Sequence, residues 1–254
     1  MLSKNKSKFV ISLQKKKVRD EENLFVIEGD KMVREFLIAG IRLKILLAKP
    51  EFIGTLNSEL LRFADDVEEV SFEELRQIST LKTPHNALAV VEIKEKKIVY
   101  DDIFKELCCA LEYVQDPGNL GTIIRAAAWF GIKNIVCSPD CVDIYNPRVI
   151  QASMGAILNV NVFYSDLDAF LFEARNQNIP IFGTLLDGDP IYENPLGSKG
   201  IILLGNESKG VSHTLLKYVS NKIMIPRYSD AKYGIDSLNV GMAASIVFSE
   251  FRRR

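Results

Sequence analysis

Apolar residues along this chain fall in short continuous runs separated by stretches where they recur every three or four positions. That alternation predicts strands interleaved with helices. Leu24–Glu28 (L-F-V-I-E) reads as a strand, and Asp30–Ala39 as a helix with Met32, Val33, Phe36 and Leu37 on one face before Gly40 stops it. Leu43–Ala48 and Ala87–Ile93 predict two more strands, and Ser71 with Glu74 makes a capping box that opens a short helix. These elements suggest a small βαβ-type unit. The charged stretch Lys94–Lys97, followed by Tyr100, Asp101 and Asp102, reads as a break, dividing the chain into domains 1–97 and 98–254.

In the second part the alternation is more regular. Cys108–Val114, Asn134–Cys137, Asn159–Phe163, Pro180–Thr184, Gly200–Leu204 and Lys222–Ile225 predict strands, with helices at Leu120–Phe130 and Asp166–Asn176 between some of them. The expected fold class is α/β, a mostly parallel sheet with helices on both faces. Such sheets bind ligands beyond the carboxyl ends of their strands, so the loops there are where chemistry is sought.

Composition narrows the classes. The chain has 254 residues, 47% hydrophobic, with 32 basic and 33 acidic side chains. That length supports a core without disulfides or a structural metal. The sequence has no apolar run long enough for a membrane span. Lys15, Lys16 and Lys17 follow too soon after Phe9–Leu13 for a secretory signal, so a cytoplasmic protein is expected. Cys108 and Cys109 read as buried strand residues. Cys137 and Cys141 lack a second ligand pair, and His85 and His213 stand alone, so no metal site is expected. Charge is uneven along the chain: Lys4, Lys6, Lys8, Lys15, Lys16, Lys17 and Arg19 crowd the start with no acid among them, and Arg252, Arg253 and Arg254 close it. These ends suit a nucleic-acid backbone or a solubilising tail equally.

Three loops carry candidate chemistry. The first, Gln115–Gly121 (Q-D-P-G-N-L-G), leads into a helix with Asn119 as its expected N-cap. Arg125 falls off that helix's apolar stripe, either packed on Trp129 or available for an anion. The second, Leu203–Gly210 (L-L-G-N-E-S-K-G), is neither a P-loop nor a G-x-G-x-x-G fingerprint, but Gly205 and Gly210 permit close backbone approach. The third runs from Ile225-Pro226 to Asp236–Ser245, where Ser237 or Asn239 is placed to cap a final helix lined by Gly241, Ala244, Ser245 and Phe248. Its small residues suit helix packing or a flat ligand.

In order and spacing the three loops resemble the signature motifs of the SpoU (TrmH-like) RNA ribose 2′-O-methyltransferases, through N-L-G-T-I-I-R, L-L-G-N-E-S-K-G, and I-P followed by S-L-N-V. The stretch V-I-E-G-D-K-M-V-R-E-F-L-I-A-G is similar to the L30e-like substrate-binding domain of many members. The resemblance implies a C-terminal trefoil knot of the SPOUT type, S-adenosylmethionine as cofactor and a homodimer. It places cofactor contacts on Thr184, Leu204, Gly205, Ile225 and Leu238, and the functional polar set on Asn119, Arg125, Glu207, Ser237 and Asn239. The substrate it implies is RNA, ribosomal before transfer RNA; the competing reading is a silent RNA-binding or ribosome-assembly factor. Arg125 is expected to grip a phosphate, since a guanidinium holds one bidentately and orients the adjoining ribose, with Glu207 as an alternative proton acceptor. The connection Arg227–Asp236 is longer than usual for the family, and its Arg227, Tyr228, Lys232 and Tyr233 suit either RNA contact or a structural flap.

Overall fold

A computed structural model of the chain describes residues 2–94, 96–206, 208–229 and 237–253. They group into two compact units, one of 1–95 with 145–158 and the other of 96–144 with 159–254.

The first unit is built on a four-stranded sheet of β1 (Leu24–Glu28), β2 (Leu43–Ala48), β3 (Val67–Glu69) and β4 (Ala87–Glu92), in the order β1-β4-β2-β3. β4 is antiparallel to both β1 and β2, and β2 is parallel to β3. The expected βαβ arrangement is therefore split, because β4 lies between the two strands that the helix connects. That helix, Asp30–Ile38, buries Met32, Val33, Phe36 and Leu37, the face its spacing predicts. The capping box of Ser71 and Glu74 is formed at the start of helix Phe72–Ile78.

The basic amino-terminal stretch is not a free tail. It folds as helices Lys4–Ser12 and Lys16–Glu22, and Val10 and Leu13 join Val26, Leu75 and Leu88 in a hydrophobic cluster. Burying each such side chain contributes about 1.5–3 kcal/mol, more than a surface ion pair does. Lys6 pairs with Asp66 and Glu68 at 2.8 and 2.6 Å, and buried Arg19 donates to the carbonyls of Leu13 and Gln14. Lys4, Lys8 and Lys15 carry no ion pair among the described residues.

The second unit holds a six-stranded sheet: β5 (Leu107–Leu111), β6 (Asn134–Cys137), β7 (Asn161–Tyr164), β8 (Ile181–Pro190), β9 (Gly200–Leu204) and β10 (Asn221–Met224). Their order is β10-β8-β9-β5-β6-β7, and every pairing is parallel. All residues of β5 and β9 are buried, so both faces of the centre are covered. One face packs Cys108, Ala110, Ile201 and Leu203 against Phe170, Leu171 and Ala174 of helix Leu167–Asn176. On the other, Phe182 meets Phe251 of helix Val240–Arg253 edge-on at 4.9 Å, and that helix lies along helix Pro117–Trp129. β8 runs six residues past its expected end because its second half continues pairing with β10 beyond a register shift at Lys222/Ile223. Strand order reverses at β5, which puts the loops after β5 and β9 side by side at the switch point where open parallel sheets take ligands.

Two expectations about helix ends are corrected. Asp116, not Asn119, caps helix Pro117–Trp129: its carboxylate accepts the Asn119 N–H at 2.8 Å, and Pro117 occupies the first turn, where a missing N–H costs nothing. Arg252 is also committed. Its guanidinium donates to the carbonyls of Phe130 and Gly131 at 2.8 and 2.9 Å, at the carboxyl end of that helix, where cations are favoured. Arg253 pairs with Glu250, and Arg254 lies outside the described residues. No helix among the described residues is long and apolar enough to cross a membrane.

Candidate functional site

A cavity of about 380 Å³ opens at the carboxyl ends of β9 and β10, beside the middle of β8, within the usual range for small-ligand pockets. Thr184 enters it from β8, Leu204 and Gly205 from the end of β9, Ile225 from just beyond β10, and Ser237 and Leu238 from the segment before helix Val240–Arg253. All five residues expected to hold a cofactor thus line one cavity, as does Ser237. Its walls combine aliphatic side chains with exposed main chain, a surface able to cover the faces of an adenine and read its edge.

Two features fit this cavity to a polar small molecule. The hydroxyl of Thr184 is buried and has no hydrogen-bond partner among the described residues, a state proteins rarely tolerate without a ligand or water to relieve it. The loop after β9 is closed on itself: Asn206 and Gly210 exchange backbone hydrogen bonds of 3.0 and 2.9 Å, and the Asn206 side-chain oxygen accepts the N–H groups of Ser208 and Lys209. Gly205 allows this closure. A Cβ there would stand 2.2 Å from the Gly210 carbonyl carbon, so a side chain would force the loop open.

Asn119 and Asn239 are brought together. The Asn239 amide donates to the Asn119 side-chain oxygen at 2.8 Å, while its own oxygen accepts the N–H groups of Gly241 and Met242 and caps the final helix. Gly241 is buried, and a Cβ there would stand 3.1 Å from Thr122, closer than an ordinary contact, so its smallness serves helix packing within the chain. Asn119, Asn239 and Arg125 do not line the cavity. Arg125 lies on the exposed face of helix Pro117–Trp129, four residues before Trp129, which is 85% exposed. Glu207, Lys232 and Tyr233 lie outside the described residues; Arg227 and Tyr228 are exposed.

Beneath the first loop the thiol of Cys141 accepts the Val114 N–H at 3.2 Å and contacts Ser138. A hydrogen bond from Cys137 and these further donors outweigh burial and pull it down to about 7, whereas Cys137 is pushed up. All four cysteines are free and buried, and no group of three or more metal-ligating side chains occurs among the described residues. Two further residues support the loops without standing out in the sequence: Glu112, whose carboxylate accepts the Ser212 N–H at 2.8 Å beyond the second loop, and Asn206. Only the G-N-E-S-K-G pattern signalled the latter.

Residues 106–249 match the SpoU rRNA Methylase family and residues 4–89 the MRM3-like substrate binding domain. The 23S rRNA (guanosine(2553)-2′-O)-methyltransferase RlmP of Bacillus subtilis is 29% identical over 247 residues, covering 94% of this chain and 93% of its own. A TrmH-family chain from Porphyromonas gingivalis superposes with a TM-score of 0.87 at 36% identity, over 100% of this chain and 99% of its own. The AdoMet-bound rRNA methyltransferase of Sinorhizobium meliloti gives 0.87 at 27% identity, over 100% and 96%.

Proposed function

Because the chain belongs to the SpoU rRNA Methylase family, we propose that it is an RNA methyltransferase that moves a methyl group from S-adenosylmethionine to a ribose 2′-hydroxyl of ribosomal RNA. The observation that carries this reading is the convergence of Thr184, Leu204, Gly205, Ile225 and Leu238 on one cavity, whose wall holds a buried Thr184 hydroxyl with no hydrogen-bond partner among the described residues. Bound there, S-adenosylmethionine supplies a methyl group already activated on a sulfonium. What remains for the protein is to align the ribose and let its proton leave.

In this reading Arg125 holds a phosphate of the RNA through its planar fork and so orients the adjoining sugar. The Asn119–Asn239 hydrogen bond fixes the start of the Arg125 helix to the start of the final helix, giving that guanidinium a rigid base. Ser237 lies at the cavity edge, and Glu207 is the candidate acceptor for the departing proton. The first unit serves as the RNA-binding domain, and the C-terminal segment is threaded as a trefoil knot. Trp129, 85% exposed at the end of helix Pro117–Trp129, supports a homodimer through that surface. The protein works in the cytoplasm.

Calorimetry with S-adenosylmethionine and methyl transfer to rRNA by the wild type and Arg125→Ala test the proposal together. Saturable cofactor binding is expected, with a loss of transfer of about tenfold or more in the variant, as befits one charged contact. Tight RNA binding without cofactor affinity would instead indicate a silent binding factor.

A further inference from the structure

Tyr113, two residues past β5, has φ of +58°, in the left-handed region that glycine or asparagine enters easily and a bulky side chain does not. The backbone is pinned there from three directions. Its N–H donates to the buried Ser138 hydroxyl at 3.0 Å, its carbonyl accepts the Asn206 amide at 3.0 Å, and the next N–H meets Cys141. Those contacts would hold a glycine as well, so they account for the conformation and leave the side chain unexplained. The ring is not core: the residue is 36% exposed and its phenol makes no hydrogen bond among the described residues. Its aromatic partner is the Lys209 ammonium, 5.8 Å from the ring centre. Lys209 in turn pairs with no carboxylate among the described residues, and it lines the cavity together with Asn206.

A bulky aromatic held in a strained backbone, beside a cation at a cavity rim that has no carboxylate partner among the described residues, suits the grip of a single-stranded nucleotide: the ring stacks on a base and the cation takes its phosphate. Resting on the proposed RNA methyltransferase reading, we infer that Tyr113 is the stacking platform for the base of the RNA nucleotide presented to the cavity, with Lys209 as its phosphate contact. When a base takes the ring face, the ammonium now over the ring exchanges a cation–π contact for an ion pair within the same site.

The test uses the full-length chain, S-adenosylmethionine and an unmodified large-subunit rRNA transcript, with Tyr113→Gly, Tyr113→Phe and Lys209→Gln. Glycine suits the observed φ, so Tyr113→Gly is expected to fold and bind S-adenosylmethionine as the wild type does. Its KM for RNA should rise about tenfold or more, with a smaller change in kcat, the size of a lost stacking contact. Tyr113→Phe should restore the KM, and Lys209→Gln should weaken the salt dependence of RNA binding. A Tyr113→Gly variant with the wild-type KM, or a Tyr113→Phe variant as defective as the glycine, would overturn the inference. If the wild type transfers no methyl group, the parent reading fails; filter binding of the same transcript still tests Tyr113, and equal affinity of wild type and Tyr113→Gly would then overturn its role.

Discussion

Replacing Thr184 by valine separates a ligand-facing hydroxyl from a structural one, because the two roles predict opposite changes. Valine keeps the shape and β-branching suited to β8 and removes one polar atom. In the free protein that atom is buried without a partner among the described residues, a state that costs about 1–3 kcal/mol. Thr184→Val should therefore stabilise the free protein, raising Tm by about 2–4 °C for each kcal/mol recovered. If the hydroxyl is satisfied only when S-adenosylmethionine is bound, the same substitution removes a hydrogen bond from the complex. A contribution of about 1 kcal/mol corresponds to about a fivefold loss of affinity. Differential scanning calorimetry and isothermal titration on the same preparations read both quantities. A lowered Tm with unchanged affinity would refute the reasoning, since the hydroxyl would then be supporting the fold.

Other substitutions probe the remaining parts. Gly205→Ala must displace the Gly210 backbone and should cost about 1–3 kcal/mol of stability together with most S-adenosylmethionine affinity, measured by denaturant titration and calorimetry; Gly197→Ala, with only ordinary contacts at 3.7 Å and beyond, should be neutral. Asn239→Ala uncaps the final helix and removes its hydrogen bond to Asn119, so a loss of about 0.5–2 kcal/mol is expected in thermal unfolding, and the Asn119→Ala/Asn239→Ala pair should be non-additive for methyl transfer. Trp129→Glu should yield a monomer by analytical ultracentrifugation, whereas an unchanged dimer would remove that face from the interface. Acid should destabilise the first unit. Burial tends to raise Asp30, but hydrogen bonds from the Asn86 side chain and backbone outweigh it, and the Ser71 N–H lowers Glu74. With folded values below unfolded ones, the unfolded chain binds more protons as the pH falls below about 4, and stability present above that range is lost. Urea titrations between pH 6 and pH 3 should show this fall, and Asp30→Asn should flatten it.

The legible parts of the fold are those set by local pattern. β1, β2 and β9 begin and end where their apolar runs do, and Ser71 and Glu74 announced their capping box. Asp116-Pro117-Gly118 reads equally well as a turn or as an N-cap followed by proline, and only the path of the chain decides between them. The basic start looks like a tail until Val10 and Leu13 are seen to find a core supplied by residues far along the sequence. Grouping of 145–158 with the first unit is likewise a non-local outcome. At the site, Gly205, Gly210, Asn119 and Asn239 were visible because their chemistry is local, whereas Asn206 was not singled out. The positive φ of Tyr113 was not visible, since it is imposed by Ser138 and Asn206 from other strands' ends.

The most direct measurement of the central claim is to incubate the purified protein with methyl-labelled S-adenosylmethionine and unmodified ribosomal RNA, digest the RNA to nucleosides and locate the label. One 2′-O-methylnucleoside is expected, reduced about tenfold or more with Arg125→Ala. Label on a base, or wild-type transfer by Arg125→Ala, would contradict that claim.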